Sequence, residues 1–187
     1  MTPSFEQQLS EISTVLAALH AQAATVDAIA ALVCDTVLGG GTLYTAGNGG
    51  SSTDAQHLAE ELIGRYRSNR RALPAVSLTA DSSVLTCIAN DFGYEAIFSR
   101  QIEGLMRPGD VLVAFSTSGN SPNIVAALEA AHTRGGNTIA LLGKTGGACQ
   151  GLADLELIVA SNNTARIQEA HLQVLHYICE VVEAALE

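Results

Sequence analysis

Tryptophan is absent from the 187-residue chain, and only four tyrosines and four phenylalanines supply aromatic bulk. A core so poor in rings has to close on Ala, Val, Leu and Ile and on the close approaches that 17 glycines permit, which points to a packed α/β protein. Positive charge is scarce too. Nine Lys and Arg face 19 Asp and Glu, a formal net charge of −10. That balance argues against a nucleic-acid backbone or an anionic membrane as partner. A small phosphate ester in a local polar pocket remains compatible with it. The four cysteines, Cys34, Cys87, Cys149 and Cys179, contain no C-x-x-C pair, so buried reduced thiols are expected rather than disulfides or a thiolate metal site. No basic leader with an apolar core is expected at the start of the chain, and no apolar run is expected to approach the roughly 20 residues of a membrane helix. A soluble, cytoplasmic protein is expected. The phosphate-loop pattern G-x-x-x-x-G-K-[ST] and the dinucleotide fingerprint G-x-G-x-x-G are both missing, which lowers the case for a nucleotide.

What is present is organised as one domain, residues 1–187, with no linker, repeat or low-complexity segment. Residues 4–37 are free of Gly and Pro, and Phe5, Leu9, Ile12, Leu16 and Leu19 recur at helical spacing. Five short apolar segments follow: TLYTAG (42–47), PAVSLT (74–79), VLVAFS (111–116), TIALLG (138–143) and LELIVA (155–160). Most are separated by helical periodicity. Alternation of this kind predicts a three-layer α/β domain with a five-stranded parallel sheet, order 2-1-3-4-5 by analogy with flavodoxin-like folds. A long helix from Thr164 closes the chain. The first and last helical regions carry more apolar surface than one small sheet covers, so an oligomer is expected; the alternative is that the N-terminal helix packs on its own domain, and pattern alone does not separate the two.

In an open parallel sheet, ligands bind beyond the carboxyl ends of the strands where the strand order reverses. Two Gly- and Ser-rich loops fall there: GNGGSS after strand one and STSGNSPN (116–123) after strand three. The second offers the hydroxyls of Ser116, Thr117, Ser118 and Ser121, a backbone opened by Gly119, and free N–H groups at the following helix, which Pro122 can begin. A single loop of this kind is more often an ordinary turn and cap. Two on neighbouring strands favour a monophosphate held by neutral donors.

Directly after the first loop, His57 and Glu61 lie four residues apart, about 6 Å on one helical face. Such a pair alone is more often a surface contact, but its start from the glycine loop aims it at the pocket mouth. The closing helix carries Gln168, His171 and His176. Gln168 and His176 are about 12 Å apart along the axis and meet one ligand only by leaning together or from different subunits.

Together, GNGGS…DAQHLAEELIGRYR, ANDFG, STSGNS and RIQEAH…LH resemble the sedoheptulose 7-phosphate (phosphoheptose) isomerases, within the wider sugar isomerase (SIS) fold. The resemblance runs from about residue 40 to the end, with compatible helices before it. It implies conversion of sedoheptulose 7-phosphate to D-glycero-D-manno-heptose 7-phosphate for activated-heptose biosynthesis, and a cytoplasmic homotetramer with sites at subunit interfaces. By motif match it implies zinc on His57, Glu61, Gln168 and His176. It implies catalysis by Glu61 and His176, and substrate contacts from Asn48, Gly49, Gly50, Glu61, Asn90, Asp91, Ser116, Thr117, Ser118, Ser121 and Gln168, with Arg65 nearby. Ala165 departs from the pattern, because some members carry an acid there. The rival reading is a non-catalytic SIS-fold adaptor that binds the bacterial replication initiator, and such an adaptor has no use for an acid/base pair.

Overall fold

A computed structural model of the chain describes residues 4–186. The strands are β1 (Leu43–Gly47), β2 (Ala75–Ser77), β3 (Val111–Ser116), β4 (Asn137–Gly143) and β5 (Leu155–Val159), and the helices of more than one turn are α1 (Phe5–Ala18), α2 (Ala23–Leu38), α3 (Gly50–Ile63), α4 (Ser82–Phe92), α5 (Ser99–Leu105), α6 (Pro122–Thr133) and α7 (Thr164–Ala184). Every strand expected from the sequence is present with ends shifted by no more than two residues. All pairings are parallel, and the order is β2-β1-β3-β4-β5. Register is fixed by Leu43 opposite both Ala75 and Val111, Val111 opposite Asn137, and Ile139 opposite Leu155.

The central strands β1, β3 and β4 bury both faces, as a parallel sheet covered on both sides requires, while the edge strands β2 and β5 are partly exposed. Along β3, Val111, Val113 and Phe115 join a core with α2, α3 and α7, while Leu112 and Ala114 join a second core with α5 and α6. Helix starts follow local chemistry. The Asp81 side chain accepts from the Ser83 and Val84 N–H groups ahead of α4, and Asn163 accepts from Ala165 N–H ahead of α7. Pro122 is the first residue of α6. The chain leaves α2 through Gly39 and Gly40, the latter at φ +92°.

Three expectations need correction. Among the cysteines, Cys87 is exposed; Cys34, Cys149 and Cys179 are the buried, free thiols. The apolar face of α7 is covered within a single chain, with Ile167, Val174, Leu175, Ile178 and Val182 in the core. The α1 face is covered only in part: Val15 and Leu16 pack against that core half-buried, while Phe5 and Leu9 are exposed and no α1 residue is fully buried. Finally, α1 and α2 join through a turn of 3-10 helix into one helical run, Phe5–Leu38, that is long and apolar enough to cross a membrane by length and composition. Polar and charged residues, among them Glu11, Ser13, Thr14, His20, Gln22 and Asp27, interrupt its apolar stretches. Contacts with the sheet domain hold it: Gln22 Nε2 donates to Ile158 C=O at 2.9 Å and Tyr177 donates to Asp27 at 2.6 Å.

Candidate active site

The reversal of strand order at β1 and β3 brings the two Gly/Ser-rich loops side by side. α3 starts directly against β1, because a Cβ at Gly47 would sit 2.2 Å from Ser51 C=O. Gly49, at φ +56°, turns the chain between them. In the second loop Ser116 Oγ accepts from Gly119 N–H at 3.0 Å, and Ser118 Oγ accepts from Asn120 N–H at 3.1 Å. Ser121 precedes α6 and makes no side-chain cap, so its hydroxyl is not committed to the helix. Thr117 and Ser118 are half-buried.

Sequence reasoning missed a third loop that braces the second. Cys149 N–H donates to Gly119 C=O at 2.8 Å, and Ala148 N–H donates to Asn120 Oδ1 at 2.9 Å. Gly119, at φ +64°, has no room for a Cβ against Gly146 C=O. The available signal was the paired Gly146 and Gly147 after β4. Lys144, the only lysine of the chain, opens this loop at φ +56°, a conformation that costs a non-glycine residue strain.

Asn48 and Asn123 tie the first and second loops together by a reciprocal amide pair, at 2.8 and 2.9 Å. A cavity of about 240 Å³ opens beside Asn48, lined by Gly47, Gly49, Ser52, Thr79, Thr86 and Tyr94 among others. Asn90 and Asp91 sit exposed at the end of α4, where Asn90 donates to Asp91 at 2.7 Å. Their neighbour Ala89 lines the cavity. Arg65 is exposed just beyond α3.

The second centre is the seam between α3 and α7, which run side by side in the same direction. His57 Nε2 lies 3.2 Å from Glu61 Oε1. The His176 ring packs edge-on against that of His57, with centroids 5.2 Å apart, and the Tyr66 ring lies 5.8 Å from that of His176. Gln168 packs instead against Gly50, where a Cβ would fall 2.1 Å from its Nε2. That places it about two turns back along α3 from His57. Gly50 is thus a packing requirement as well as a loop residue.

Electrostatics single out one more group on this face. Burial holds the Asp54 carboxyl up at about 6, against the opposing pull of His57, and its buried Oδ2 has no hydrogen-bond partner among the described residues. Donor atoms of His57, Glu60 and Glu61 lie within 4.8 Å of one another. One imidazole with two carboxylates is a donor set that suits a divalent cation such as zinc. Glu60 was not singled out by sequence reasoning, because it was passed over in favour of the i,i+4 pair.

The SIS domain model matches residues 7–143. The phosphoheptose isomerase of Citrifermentans bemidjiense is 48% identical over 187 residues, covering 100% of this chain and 97% of that protein. This chain belongs to the phosphoheptose isomerase family. Solved phosphoheptose isomerases have the same fold. That of Neisseria gonorrhoeae is 36% identical with a TM-score of 0.85, covering 97% of this chain and 100% of its own. That of Francisella tularensis is 33% identical with a TM-score of 0.89, covering 98% and 100%. Family membership over the full chain supports an isomerase and leaves the adaptor reading without support.

Proposed function

We propose that this phosphoheptose isomerase converts sedoheptulose 7-phosphate to D-glycero-D-manno-heptose 7-phosphate through an enediol, for activated-heptose biosynthesis. One observation carries the reading: a carboxylate and two imidazoles, Glu61, His57 and His176, form one contiguous group on the α3–α7 seam. That seam starts at the Gly50 end of the loop pair suited to phosphate.

The chemistry assigns each residue a task. Glu61 takes the proton from C1 of the open-chain ketose, and the electron pair moves to make the C1–C2 double bond of the enediol. A proton returned to C2 completes the aldose. His176 exchanges the hydroxyl proton between the two oxygens as acid and base. The hydroxyls of Ser116, Thr117, Ser118 and Ser121 and the open N-terminus of α6 bind the phosphate. Asn48, Gly49, Gly50, Asn90, Asp91 and Gln168 take the sugar hydroxyls, with Arg65 at the edge.

His57 and Glu61 would hold a zinc ion, with His176 beside them and Glu60 within reach of the same position; the family pattern adds Gln168, which within one chain packs against Gly50 instead. When bound, zinc supplies Lewis-acid polarisation of the sugar carbonyl. The exposed start of the α1 apolar face, Phe5 and Leu9, supports assembly, which we take to be the homotetramer the family resemblance implies. Such assembly also gives Gln168, Asn90 and Asp91 a route to the same ligand from different subunits. We place the protein in the cytoplasm and assign residues 1–187 to one domain.

The deciding assay supplies sedoheptulose 7-phosphate and identifies the product by NMR, with and without a chelator. Formation of the heptose 7-phosphate is expected. No product under metal-replete conditions would reject the reading.

A further inference from the structure

Tyr94 is absent from the residues that the family motif assigns, and its hydroxyl makes one long-range contact that bears on the binding pocket. It donates to Asn48 Oδ1 at 3.0 Å, across 46 residues of sequence. The same oxygen accepts from Asn123 Nδ2 at 2.9 Å, and Asn48 Nδ2 donates back to Asn123 Oδ1 at 2.8 Å. An amide oxygen has two lone pairs and an amide nitrogen two N–H groups. Both acceptor positions of Asn48 are therefore filled. One N–H of its Nδ2 is spent on Asn123, and the other has no partner among the described residues. Since Asn48 and Tyr94 both line the cavity of about 240 Å³, that remaining N–H is what Asn48 can offer a ligand there.

Placement of Tyr94 depends on the backbone ahead of it. α4 ends at Gly93, at φ +88°, a conformation open to glycine and strained for other residues. The turn sets the phenol beside the first loop, while the ring stays 61% exposed. A ring so exposed contributes little to the core, so its hydroxyl is the part with a task.

We propose that Tyr94 is a positioning residue that locks the Asn48 amide in one orientation, making it a donor-only contact for an acceptor oxygen of the sugar phosphate. The inference rests on the proposed function for the identity of the ligand. Without the phenol, Asn48 stays paired with Asn123 but its Oδ1 regains a free lone pair, so the amide can accept from a ligand hydroxyl as well as donate to an acceptor oxygen. Selection between a carbonyl oxygen, which only accepts, and a hydroxyl, which also donates, is weakened.

The test is a double-mutant cycle of Tyr94→Phe and Asn48→Ala, read as the dissociation constant of sedoheptulose 7-phosphate by calorimetry. All four proteins carry Glu61→Gln so that the sugar is not consumed. Phenylalanine keeps the ring and removes one hydrogen bond. Tyr94→Phe should weaken binding about three- to tenfold, and the loss should vanish once Asn48 is already alanine. In the otherwise wild-type enzyme the same substitution should raise KM by a similar factor and leave kcat within about twofold. Unchanged affinity in Tyr94→Phe, or losses that multiply in the double variant, would overturn the proposal. Binding with the expected coupling but no turnover by wild-type enzyme would reject the isomerase reading and retain the role of Tyr94. Failure of the sugar to bind any of the four proteins would remove both.

Discussion

The imidazole of His176, on the last long helix, stands edge-on to that of His57, on the helix that leaves the glycine loop, with ring centroids 5.2 Å apart and planes crossed at 82°. Their positions are 119 residues apart in sequence, and the side-by-side course of α3 and α7 brings them together. Two rings in this attitude, with Glu61 bonded to one of them, invite a divalent cation. Purified protein should bind one zinc per chain, and His57→Ala should weaken zinc binding by more than about a hundredfold. Calorimetric titration checks this. Equal zinc affinity in His57→Ala would remove His57 from the metal site.

The end of α3 is fastened by an interior ion pair. Arg70 Nη2 donates to Glu61 C=O at 2.6 Å and Nη1 to Leu62 C=O at 2.8 Å, capping the carbonyl end of the helix. Arg70 Nε lies 3.8 Å from Glu183 on α7, and the two side chains are only 6% and 8% exposed. Glu183 also accepts from Arg67 N–H, with both oxygens at 3.0 Å. Arg70→Ala leaves a buried carboxylate short of its countercharge and the Glu61 carbonyl at the end of α3 without its guanidinium donor. A loss of about 3 kcal/mol is expected, or about 10 °C in thermal midpoint for a chain of this size. Calorimetric unfolding measures it, and an unchanged midpoint would show that the pair contributes nothing to stability.

His171 gives the fold a dependence on pH. It is fully buried, its Nε2 lies 3.1 Å from Leu142 C=O, and burial pushes its pKa down to about 4, with the Leu142 carbonyl opposing. The unfolded chain takes up this proton near 6.5 and the folded chain near 4. Stability is therefore fully present above about 6.5 and falls as the pH drops through the window toward about 4. From pH 7 to pH 5 this one residue should remove about 2 kcal/mol. His171→Gln keeps a donor for Leu142 and does not titrate, so urea unfolding of that variant should show a pH dependence flatter by this amount. Identical dependence in the two proteins would contradict the assignment.

Much of this was legible in the sequence because it is written in local pattern. Short apolar strands bounded by glycine, and the Pro122 start of α6, depend on neighbours a few residues away. The strands accordingly appear where expected, and the Gly/Ser loops meet at the switch of strand order. The unread features are long-range. Nothing near Tyr94 announces a hydrogen bond to Asn48, and nothing near Arg70 announces Glu183 on the last helix. The α7 face looked too apolar for one sheet because its real cover, α2 and α3 together with the sheet, assembles from distant segments. Cys87 was expected inside because thiols usually are, yet it falls on the outer face of α4. The site residues came from motif resemblance as much as from geometry. The position of Gln168, against Gly50 and away from His57, shows where motif and single-chain packing part.

The account turns on Glu61 removing the C1 proton of the ketose, and solvent exchange followed by NMR tests this most directly. Wild-type enzyme in deuterated water should place deuterium at C1 of recovered sedoheptulose 7-phosphate and at C2 of the heptose product. A folded Glu61→Gln protein should do neither, with a rate at least about a hundredfold lower. Exchange at C1 by Glu61→Gln at the wild-type rate would contradict the account.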